Sequence, residues 1–153
     1  MEEREYREIY SAINERRCPY EKAINSRRCN CSQSRRFNLA NREGVACKSA
    51  PGNLLCNELL KIMRLKARFS LHVTHATSPL PHAKEIRVQV GGMLGLQKAV
   101  DPATEEATTV EDIHGVTNAA IARYSSLDEL PYEEIMQSVV AFKGREKRPR
   151  SPA

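Results

Sequence analysis

Apolar residues recur along this chain at helical spacing more often than at any other. Tyr6, Ile9, Tyr10 and Ile13 fall on one stripe between Glu2 and about Arg16, which predicts an amphipathic first helix. Pro19 suits the first turn of a second helix over roughly Pro19–Arg27. Cys29-Asn30-Cys31 reads as a break, and Ser32 is placed to cap a third helix that Gly44 would end. The longest stripe, Leu55, Leu59, Ile62 and Met63 running on to Lys66 and Phe69, predicts a helix from the Pro51-Gly52-Asn53 turn to Phe69 or Leu71. On it, Lys66 can lay its methylene stem along the apolar face.

Ser78-Pro79-Leu80-Pro81 interrupts the pattern. From Lys84 to Gln97 two periods compete. Ile86, Val88 and Val90 alternate like a strand, Met93, Leu94 and Gln97 suit a helix, and Gly91-Gly92 lies between. Asp101–Thr109 is a polar, acidic linker. Val110, Ile113, Thr117, Ala120, Ile121 and Tyr124 mark one further helix, and Tyr132, Ile135, Met136, Val139 and Val140 mark another after Pro131. The expected fold is mainly α: a small helical domain with a Cys-rich N-terminal half and at most one short strand region. Three stretches follow, a Cys-rich helical region over 1–100, an acidic helical pair over 110–143 and a basic, disordered tail over 144–153.

Composition changes this picture in two ways. The 153 residues fit one modest domain, and with no tryptophan its core must be largely aliphatic. Charge is segregated: residues 1–50 carry 11 Lys/Arg against 7 Asp/Glu, 51–99 carry 7 against 2, 100–142 carry 1 against 9, and 143–153 carry 5 against 1. Such a chain suits complementary faces or an oppositely charged partner, with solvated helix faces as the plainer account. No apolar run approaches the roughly 20 residues of a membrane helix, and the charged start lacks a signal-peptide core, so the expectation is a soluble cytoplasmic protein without a membrane role.

The chemistry concentrates in the cysteines. Cys18, Cys29, Cys31 and Cys47 crowd into an arginine-studded stretch, with Cys56 further on. In a cytoplasmic protein, cysteines are more often metal ligands or catalytic groups than disulfides, and five cannot all pair. Two Arg-Arg-Cys units, at Cys18 and Cys29, stand 11 residues apart. The gaps between successive cysteines are 10, 1, 15 and 8 residues, which fit no Cys-x2-Cys zinc template. Iron–sulfur clusters accept more varied spacings and a wider spread of thiolates. The favoured reading is therefore a cluster on Cys18, Cys29, Cys31 and Cys47, with Arg28 and Arg36 among the arginines that offset its negative charge. Cys56, inside the apolar Leu54–Leu60 run, reads as core.

The implied function is accessory: electron transfer, redox sensing or cluster handling beside a larger protein partner. The alternative is a non-enzymatic, zinc-stabilised module that binds nucleic acid or protein. A thiol–disulfide switch between Cys18 or Cys47 and the Cys29/Cys31 pair is a third reading. The basic balance and arginine pairs leave nucleic acid open as a partner, although no aromatic residues interleave with the basic stripe. Other constellations carry less. His72 and His75, with His82 nearby, lack a carboxylate motif; Gly91-Gly92-Met93-Leu94-Gly95 lacks the Lys-Ser/Thr of a phosphate loop and suits a turn or a close helix contact; His114 has no nucleophile beside it. No acid/base pair supports an enzyme.

Overall fold

The computed structural model describes residues 2–73 and 79–144. The chain order is α1 (Glu3–Ile13), α2 (Glu21–Asn25), β1 (Ser34–Leu39), β2 (Arg42–Cys47), α3 (Ala50–Ser70), α4 (His82–Ile86), a π-helical segment (Arg87–Gly91), α5 (Gly92–Val100), α6 (Ile113–Tyr124) and α7 (Tyr132–Ala141), with single 3-10 turns at Pro102–Thr104 and Leu127–Glu129. The protein is mainly helical, with one short antiparallel sheet of two strands. His75 and the chain beyond Gly144, including the basic tail, lie outside the described residues.

The helix expected over Ser32–Gly44 is instead the hairpin β1–β2. Leu39 pairs with Arg42, so the connection is two residues, Ala40 and Asn41, both at positive φ (50° and 66°). That is the backbone of a type I′ turn, whose twist matches paired strands. Gly44 does not end a helix. It faces Phe37 across the ladder, and any Cβ there would collide with the Phe37 ring. Phe37 in turn meets Tyr10 of α1 at 5.6 Å between ring centres. The competing periods over Lys84–Gln97 resolve into one continuous helical rod, α4–π–α5. Val88 and Val90 are fully buried, so strand-like alternation there reflects burial on several sides.

The core is a single cluster reaching from Cys18, Tyr20 and Ile24 through Leu59, Leu60 and Met63 of α3 to Met93, Leu96, Ile135 and Val139. Glycine sets the closest approach within it. A Cβ at Gly91 would stand 2.9 Å from the Val139 Cα, and one at Gly95 3.0 Å from the Ile135 Cα. The glycines therefore serve a close helix contact between α5 and α7.

Two buried carboxylates tie the front of the molecule to this core. Glu21 accepts from the Arg17 guanidinium (2.7 Å), the Val45 N–H (2.8 Å) and the Tyr10 hydroxyl. Glu85 accepts from Arg64 (2.6 Å) and from Gln89 Nε2 (2.9 Å), while Gln89 Oε1 accepts the Ala23 N–H (3.0 Å). Glu21, Glu85 and Gln89 thus each have partners, as burial requires.

The front is also clamped to the C-terminal helices. Val110 N–H donates to the Arg28 carbonyl (2.9 Å), Asn30 N–H to the Val110 carbonyl (2.8 Å), and Ile113 N–H to the Asn30 carbonyl (2.9 Å). Ser32 N–H donates to Asp112 Oδ1 at 2.9 Å.

Candidate functional site: a gathering of thiols

The hairpin and its flanks decide where the cysteines go. Cys31 precedes β1 and Cys47 ends β2, and the register pairs Ser34 with Cys47, so both lie at the open end of the hairpin. Cys18 runs alongside β2: its N–H donates to the Val45 carbonyl (3.0 Å), and the Cys47 N–H donates to the Arg16 carbonyl (2.8 Å). Cys47 leads directly into α3. Its sulfur sits 3.3 Å from the carbonyl oxygen of Ser49, the residue that caps α3 by accepting the Gly52 N–H (3.0 Å). Cys56 stands two turns into that helix.

Four sulfurs consequently share one neighbourhood: Cys18, Cys31, Cys47 and Cys56. Ionised, Cys56, Cys31 and Cys47 would each repel a charge on Cys18, and Cys31 and Cys47 would repel one on Cys56. Cys29 has no such coupling to the other thiols. Its sulfur takes a hydrogen bond from the Val110 backbone, and Arg28 is its charged neighbour. All five thiols are free. Among the described residues, no three His, Cys, Asp or Glu side chains stand together as a ligand group for a metal ion.

Burial dominates the thiols' acidity. It pushes Cys18, Cys29 and Cys56 up to about 12 and raises Cys31 as well. Hydrogen bonds to sulfur oppose it. Tyr20 N–H reaches Cys18, and both Gln33 N–H and His114 N–H reach Cys31. In Cys18-Pro19-Tyr20 and Cys31-Ser32-Gln33 the donor is the second residue on, so the chain folds back over its own sulfur. The Thr117 side chain on α6 stands within hydrogen-bond reach of Cys56. Tyr20, fully buried, has Cys56, Cys29 and Cys18 around it and donates to the Met63 sulfur (3.5 Å).

The arginines are occupied elsewhere. Arg36 donates to the Ile24 carbonyl (3.3 Å), Arg28 lies 5.7 Å from the Phe142 ring centre, and Arg27 pairs with Glu43. Arg16 donates to the Cys47 carbonyl (3.2 Å). Together with Arg35 and Lys48 it lines a groove of about 670 Å³ that opens beside Cys47. His72 and His82 are exposed.

Cys56 packs against the core, as expected, and also neighbours Cys18, Cys31 and Cys47, whereas Cys29 faces Val110. A signal for Cys56 was present: a Ser49 cap starts α3 two residues after Cys47, so the helix must rise from beside that sulfur. No family model matches this chain, and neither a curated protein nor a solved structure resembles it detectably.

Proposed function

We propose that this chain is a small accessory protein that holds an iron–sulfur cluster through Cys18, Cys31, Cys47 and Cys56. What supports this reading is the nearness of those four thiols, close enough to affect one another's ionisation, with backbone hydrogen bonds to two of the sulfurs. Such hydrogen bonds are a recurrent means of stabilising ligating thiolates and setting a cluster's potential. Cys56 replaces Cys29 in the ligand set because Cys29 faces Val110 and is not coupled to the other thiols.

Burial makes metal loading proton-coupled in this reading. A thiol held at about 12 stays protonated at neutral pH, so Cys18 and Cys56 are inert until a cation displaces their protons. The Arg16, Arg35 and Lys48 rim beside Cys47 suits an acidic surface on a larger protein partner. Electron transfer, redox sensing and cluster handling all fit a centre so placed.

Anaerobic purification tests the proposal, with absorbance, iron, zinc and labile sulfide measured on the full chain. Brown protein with iron and sulfide is expected. Cys56→Ser should lower the iron content about tenfold or more, and Cys29→Ser should leave it intact. Colourless protein with one zinc would transfer the site to a structural zinc module. Metal-free protein after anaerobic reconstitution would sink both.

A further inference from the structure

A pocket of about 600 Å³, within the usual size of a small-molecule site, is lined from α2, α3 and α4 and from the chain around Cys18. Six charged side chains reach it: Arg17, Lys22, Arg64 and Arg68 against Glu21 and Glu85, an excess of two positive charges. The signs are layered. The Glu21 and Glu85 side chains are 10% and 7% exposed, whereas their partners Arg17 and Arg64 are 61% and 43% exposed. The carboxylates therefore lie beneath and the guanidiniums toward solvent.

Each carboxylate holds its arginine through Nε and Nη2. That grip fixes the plane of the guanidinium, and the Nη1 donors are not spent on the carboxylate. Lys22 is placed through its neighbour: the Ala23 N–H donates to Gln89 Oε1 (3.0 Å), and Gln89 Nε2 donates to Glu85 (2.9 Å). Gln89 belongs to the π-helical segment, a feature that concentrates at functional sites. Pro19 and Leu80 give the pocket an apolar edge, which suits an organic body behind a charged head. Guanidinium forks match phosphate oxygens, and a doubly charged phosphate gains more from two surplus positive charges than a carboxylate does. We propose that this pocket binds a small organic phosphate. The site needs no metal, although Cys18 is part of its lining.

The experiment is a ligand-observed NMR titration of the full chain with phenyl phosphate at fixed ionic strength, with benzoate as the carboxylate control and thermal melts of every variant. Phenyl phosphate should bind and raise the melting temperature by about 3 °C at ten times its Kd. Lys22→Glu should weaken binding about tenfold with little change in the melt of the unliganded protein. Arg64→Gln would strand the buried Glu85, so Arg64→Lys is the second variant: it keeps the charge, gives up the fork and should weaken binding about fivefold. Lys98→Glu makes the same charge change outside this lining and should leave binding as it is. No binding of phenyl phosphate would overturn the proposal, as would benzoate bound equally well. A Lys98→Glu protein weakened as much as Lys22→Glu would reduce the effect to net charge and overturn it too, and so would folded Lys22→Glu and Arg64→Lys proteins that bind as tightly as the wild type.

Discussion

The two halves of the molecule are held by different physics. From Asn14 to Cys56 the chain is fixed by buried hydrogen bonds: Glu21 gathering Arg17, Tyr10 and Val45, the hairpin ladder, and the Val110 clamp. From α4 onward it is fixed by close contact, with α5 and α7 meeting at Gly91 and Gly95. Hydrogen bonds are directional and so can aim thiols from separate elements at one place. Close-packed helices fix a rigid frame, tied to the front by the buried Glu85–Arg64 and Gln89–Ala23 bonds.

The contrast breaks most sharply at the glycines. Gly91→Leu must push the Val139 backbone away and should destabilise the fold by about 3 kcal/mol or more, read as a lowered urea midpoint. Glu21→Ala attacks the other half. It strands the Val45 N–H and the Tyr10 hydroxyl, and should cost about 2–3 kcal/mol, discounted because Arg17 is largely exposed. Amide exchange should then quicken in β2 before it quickens in α7, whereas equal quickening would erase the distinction drawn here.

Alkaline pH probes the buried thiols without mutation. In metal-free protein, Cys18, Cys29 and Cys56 sit at about 12, against an ordinary value of 9.0. The unfolded chain releases these protons first, so their contribution is complete below about pH 9 and is lost as pH rises toward 12. Melting temperature should fall across that window, and less steeply in Cys29→Ser. The smallest effect is expected at the hairpin turn. Ala40 holds a positive φ that alanine tolerates poorly, so Ala40→Asn should stabilise the protein by about 0.5–1 kcal/mol.

The sequence made the helices legible and the hairpin illegible, for physical reasons. Stripes such as Leu59, Met63 and Ile135, Val139 report a one-sided helix directly. Ser34–Leu39 is a half-exposed strand with Phe37 and Leu39 as its large apolar residues, and its turn lacks the usual glycine, so neither alternation nor turn chemistry announces it. Ile86, Val88 and Val90 mimic a strand because the rod is enclosed by α3 and α7. The roles proposed for Cys29 and Cys56 turn on which way each sulfur faces. That depends on Val110 and Thr117, more than 60 residues further along the chain.

The clamp between Arg28–Asn30 and Val110–Ile113 has a consequence for how the protein is made. Synthesis runs from the N-terminus, and a nascent chain that ends before Val110 has nothing to accept the Asn30 N–H or to donate to the carbonyls of Arg28 and Asn30. The His114 N–H that reaches the Cys31 sulfur is missing as well. Cys31 therefore stays loosely held on the ribosome while Cys18 and Cys47 can already be joined through the hairpin. Closure of the Arg28–Cys31 segment waits for the emergence of Val110 and α6.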